Sequence, residues 1–135
     1  MNKISVKSGI VVEVNEAGET ITVNVEDQQF IDRFYHLIEI LDGVKAKVKE
    51  ASAHGISDRE KIQLVIGQTK EIMTEMDILF GEGCCRKVFG DIVPNPYLLA
   101  DFFEQIAPIL KEYATERQKR ISTRYNRGRK GGSVK

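Results

Sequence analysis

Between Thr20 and Val25 apolar and polar residues alternate strictly, with Ile21, Val23 and Val25 on one face and Thr20, Thr22 and Asn24 on the other. That period of two is the signature of a half-buried strand. Ile10-Val-Val-Glu-Val14 and the shorter Ile4-Ser-Val6 show the same alternation, and Glu16-Ala-Gly-Glu19 supplies a glycine-bearing connection before Thr20. The pattern predicts a β-hairpin with room for a short third strand. So small a sheet is marginal alone and must lay its apolar face on helices or on another subunit, leaving an open edge for strand addition.

At Asp27 the period changes. Asp27 is placed to cap a helix, and Phe30, Phe34, Leu37, Leu41, Val44 and Val48 follow at alternating steps of four and three, with Ile31 and Ile38 widening the stripe. Gly43 interrupts this pattern at a cost of roughly 1 kcal/mol relative to alanine, which a tight helix crossing or a bend would explain. Ala53-His54-Gly55 closes the helix. Ser57-Asp-Arg-Glu60 is a capping box, and Ile62, Val65, Ile66, Thr69, Ile72, Met73, Met76, Leu79 and Phe80 form one face of a second long helix.

The second helix runs into the densest punctuation in the chain, Asp77-Ile-Leu-Phe-Gly-Glu-Gly-Cys-Cys-Arg-Lys-Val-Phe-Gly90. Gly81 directly after Phe80 is a helix stop, Gly83 frees the backbone again, and Cys84, Val88 and Phe89 share the face of a short helix that ends at Gly90. The reading is an elbow of helix, kink, short helix and stop, with Gly81 or Gly83 at positive φ. Asp77 and Glu82 bracket the kink, and either carboxylate can accept from amides left free at the start of the short helix.

Asn95 and Pro96 then give N-cap and first turn of a further helix, whose stripe is Tyr97, Leu98, Leu99, Phe102, Phe103, Ile106, Ile109, Leu110 and Tyr113. Pro108 inside it predicts a kink or restart near residue 105. The fold class is therefore α+β and mostly α: an N-terminal hairpin, two long helices, a short elbow helix and a broken C-terminal helix. Phe34, Leu37, Leu41, Val65, Ile72, Leu79, Phe80, Phe89, Phe102 and Ile106 are the expected core.

Charge sharpens the picture. The 135 residues carry equal numbers of acidic and basic side chains, but residues 1–116 hold 12 Lys and Arg against 20 Asp and Glu, a net of −8, while residues 117–135 hold eight basic residues and no acidic ones. The division predicts one domain over 1–116 and a disordered basic tail over 117–135. Neither a secretory signal nor a membrane span is indicated, which points to the cytoplasm and to Cys84 and Cys85 as reduced packing thiols.

The chemistry-bearing patterns sought, from nucleophile sets and HExxH to phosphate loops and Cys/His clusters, do not occur. His36 and His54 have no neighbouring ligand pattern. An enzyme is not expected, nor a cofactor or metal. Two readings remain. In the first, apolar helix faces bind another protein: Tyr97, Phe102, Phe103, Ile106 and Tyr113 are the first choice, because their stripe is wider than one core interface needs, and Met73 with Met76 the second, with core packing as the competing role. In the second, Arg117, Lys119, Arg120, Arg124, Arg127, Arg129 and Lys130 neutralise phosphates while Tyr125 stacks on a base of a nucleic acid. The acidic body argues against the second, since it repels phosphates and can hold the tail itself.

The segment Asp-x-x-Phe-Gly-Glu-Gly, a Phe-Gly a few residues on, the proline-bearing loop, the aromatic helix and the basic tail resemble the tail assembly chaperones of long-tailed bacteriophages and of prophages in Gram-positive bacteria, over residues 20 to 127. The Cys84-Cys85 pair is no part of that pattern. The resemblance implies a mostly helical protein that can self-associate, binds the long tape-measure protein during tail assembly and is absent from the finished virion, in many of these phages with a frameshifted longer form.

Overall fold

The computed structural model describes residues 2–5 and 9–133, with Ile121 and residues 123–133 described by their backbone alone. Strands β1 (Ile10–Glu13) and β2 (Thr20–Val23) pair antiparallel with Ile10 opposite Val23 and Val12 opposite Ile21. Gly18 turns the loop at φ 81°, and the Val14 amide donates to the Glu19 carbonyl. Ile21, Val23 and Val25 are buried as the alternation predicts. The predicted third strand is not formed over residues 2–5, and Val6 lies outside the described residues.

Helix α1 (Gln28–Ala53) starts where Asp27 accepts from the Gln29 amide at 2.9 Å. Helix α2 (Asp58–Phe80) starts on the predicted box: the Glu60 amide donates to Ser57 Oγ and the Ser57 amide to Glu60 Oε1. Helix α3 (Cys84–Phe89) is the elbow helix, and α4 (Pro96–Ser133) starts with the Leu98 amide donating to Asn95 Oδ1. No helix among the described residues is long and apolar enough to cross a membrane.

The chain's six phenylalanines form one edge-to-face network. Phe80 is its hub, with ring centroids 5.3 Å from Phe30, 6.3 Å from Phe34 and 5.4 Å from Phe102, while Phe103 joins through Phe34 and Phe89 through Phe102. Around this hub α1 and α2 lie antiparallel, α4 packs on α1, and the hairpin joins the core through β2 on α2.

Two expectations are corrected. Val65, Leu79 and Phe89 are half-buried rather than fully buried, because each packs against the core at the margin of its stripe with part of its side chain lining a cleft. Helix α4 is continuous rather than broken: Pro108 and Glu104 are both exposed, so water can satisfy the Glu104 carbonyl that loses its amide partner. The α4 backbone is helical over residues 117–133, the stretch that the charge division sets apart as a tail. Glu116, Arg117, Gln118, Lys119 and Arg120 are good helix formers, and lengthening a nucleated helix adds one hydrogen bond per residue ordered.

Candidate surface sites

The elbow is built as a rigid corner. The Gly81 amide donates back to the Asp77 carbonyl, and the glycines then take conformations closed to other residues: φ 115°, ψ 153° at Gly81 and φ 79°, ψ 9° at Gly83. Asp77 carries the capping role, accepting from the Cys85 amide at 2.9 Å, while Glu82 is exposed to solvent. Gly90 ends α3 at φ 77°. A Cβ at Gly81 would meet nothing within 4 Å, so Gly81→Ala isolates backbone strain. It is expected to cost about 1–3 kcal/mol in denaturant unfolding.

Both cysteines are buried and free. Cys85 Sγ donates to the Met73 carbonyl at 3.5 Å and lies 3.9 Å from Met76 Sδ. Its pKa is raised far above the ordinary thiol range, first by the side-chain interaction with Cys84, then by burial and by the Asp77 carboxylate. Both side chains pack in the core, and Cys85 is held as a thiol.

Helix α3 is tied to the hairpin by Asn15 Nδ2 donating to the Lys87 carbonyl and by Lys87 Nζ donating to the Thr20 carbonyl. This leaves a groove of about 410 Å³ between β1, α3 and α4. Val12, Val14, Val88, Phe89, Leu98 and Ile109 line its walls together with the polar Glu13, Asp101 and Gln105, and the buried Phe102 and Ile106 lie beneath. A second cleft of about 340 Å³ lies between α2 and the loop before α4, lined by Ile62, Val65, Ile66, Val93 and Pro94.

The predicted contact residues therefore separate. Phe102, Phe103, Ile106 and Met76 belong to the core, so their side chains are not free to meet a partner. The wide stripe of α4 is accounted for by ring contacts with α1 through Phe34–Phe103, with α2 through Phe80–Phe102 and with α3 through Phe89–Phe102. Tyr97 is 69% exposed and lies under Lys45 Nζ, 4.9 Å from the ring centroid. Met73 is half-buried. The grooves instead use residues that sequence reading leaves aside or assigns to the core: Val12 and Val14 on the hairpin, Val88 and Leu98 at stripe edges. A signal existed in the alternation of Ile10, Val12 and Val14, which marks an apolar face on the outer strand.

Tyr113 donates its hydroxyl to Glu26, and Arg117 Nε lies 3.4 Å from the same carboxylate. The hydrogen bond to Glu26 is the main cause of a raised Tyr113 pKa. Absorbance at 295 nm is expected to show one tyrosine titrating above the ordinary range, and Tyr113→Phe should remove that late step. The bond exists only with the phenol protonated, so its contribution is complete below the ordinary tyrosine range and is lost as pH rises through the raised value. Lys119 and Arg120 are exposed, whereas the side chains of Arg124, Tyr125, Arg127, Arg129 and Lys130 lie outside the described ones. No group of three or more His, Cys, Asp or Glu residues is arranged to hold a metal ion among the described residues.

A family profile described as a family of unknown function (DUF6673) matches residues 17–134. The chain belongs to this family. The match spans both the elbow and the basic end of α4. No curated protein and no solved structure matches the chain.

Proposed function

We propose that the protein is a non-catalytic tail assembly chaperone of a long-tailed phage or prophage, which binds the tape-measure protein in the host cytoplasm, keeps it soluble during tail morphogenesis, and self-associates while doing so. The observation that carries this reading is the groove between β1, α3 and α4, whose apolar side chains are rimmed by Glu13, Asp101 and Gln105 on a body whose own core is already complete. The elbow sequence and its resemblance to such chaperones support the identity of the partner.

A tape-measure protein rich in apolar helical stripes aggregates until it assembles, and a chaperone masks those stripes by seating a helix face in a groove. Val12, Val14, Val88, Phe89, Leu98 and Ile109 offer side chains to such a helix while Phe102 and Ile106 hold the floor rigid. Leu98, 38% exposed, is the most accessible of these. Leu98→Glu is expected to leave the fold intact and weaken the complex at least about tenfold, as charge placed in an apolar contact does. Co-expression with the tape-measure protein from the same gene cluster, followed by size exclusion, measures both solubility and complex.

A further inference from the structure

Gly43 lies in the middle of α1 in ordinary helical conformation, and a Cβ added there would meet nothing within 4 Å. Neither a left-handed φ nor a close crossing inside the chain accounts for a residue that weakens a helix. Helical spacing places Gly43 in line with His36, Ile40 and Lys47. His36 and Ile40, with Arg33, form the α1 wall of a groove of about 770 Å³ between α1 and α2 that neither α4 nor the hairpin lines.

Leu37 and Ile72 are buried at its floor, Leu79 is half-buried, and Ile78 on the α2 rim is 63% exposed. The rims differ in charge. Arg33 stands on the α1 side and Glu71 with Glu75 on the α2 side, while Asp32 and Glu39 stand further round α1. Lys47 Nζ donates to Gln68 across the continuation of this line, joining the two helices there.

We propose that this groove is the contact between two copies of the chain, with α1 and α2 of one copy laid on those of the second as a four-helix bundle and Gly43 at the point of closest backbone approach. The occupant is a second copy because the surface is its own complement. A two-fold axis parallel to the helices sets α1 against α2 of the second copy, so the Arg33 rim faces the Glu71 and Glu75 rim and the exposed Ile78 enters the apolar floor. The proposal specifies a surface for the self-association in the chaperone reading and rests on that element alone.

Sedimentation of the full chain over about a hundredfold range of concentration should show a monomer–dimer equilibrium. Ile78→Glu should weaken it at least about tenfold with an unchanged circular dichroism spectrum. Gly43→Ala should raise the Tm of the dilute monomer by about 3–5 °C and weaken the dimer about tenfold, a split that a purely internal role for Gly43 would not produce. Hydrogen exchange of the unsubstituted protein should show added protection at residues 36–47 and 71–79 as concentration rises. A monomer at every concentration, undiminished association in either variant, or no added protection there would overturn the proposal. Tape-measure solubilisation is read from a different groove, so its success or failure is scored separately.

Discussion

Phe80→Ala is expected to destabilise the protein by about 3–5 kcal/mol, the range for emptying a buried aromatic site. Phe80 is 3% exposed and meets three other rings edge to face. It also ends α2 one residue before Gly81, so its ring anchors the elbow on α1 and α4 together. Collapse around the vacancy would require α1, α2 and α4 to move at once, which is why the upper half of the range is expected. Urea unfolding checks this as a fall in midpoint at unchanged slope. Leu79→Ala, at the half-buried neighbouring position, should cost clearly less; equal losses would mean that the elbow does not pack through Phe80.

The second large effect is on thiol chemistry. Cys84 and Cys85 are buried, and Cys85 is held protonated by Cys84, by burial and by the Asp77 carboxylate. An aromatic disulfide reagent at neutral pH should therefore react with the native protein at least about a hundredfold more slowly than with the denatured chain, because the reactive thiolate forms only on opening. Asp77→Ala leaves the Cys85 amide without its acceptor and should cost about 1–3 kcal/mol, with faster labelling. The pH dependence has a definite sign. The folded-state pKa of Cys85 is raised, so its contribution to stability is complete below the ordinary thiol range and declines as pH rises above it. Native thiols that label as fast as denatured ones would refute this arrangement.

The elements were legible because their signals are local. Asp27, Ser57 with Glu60, and Asn95 each cap a helix through contacts within three residues, and both elbow glycines have the positive φ that their position after Phe80 requires. The contact surface was not legible, because periodicity shows that a face is apolar but not what covers it. Phe102, Phe103 and Ile106 have the spacing of a docking face and serve as core, since α4 packs on three elements at once. Val65 and Leu79 have the spacing of core and stand at the edges of clefts. Pro108 shows the same limit: its cost depends on whether the freed carbonyl reaches water, and Glu104 is exposed.

The central claim is that this chain keeps an aggregation-prone helical partner soluble through apolar grooves and without catalysis. Its most direct test is co-expression with the tape-measure protein of the same gene cluster, with the soluble fraction and the co-eluting complex measured with and without this chain and with the Leu98→Glu variant. The account predicts a tape-measure protein that is soluble and complexed only with the unsubstituted chain, and largely lost to the pellet with Leu98→Glu. A tape-measure protein equally soluble in the absence of the chain, with no complex surviving size exclusion, would contradict it.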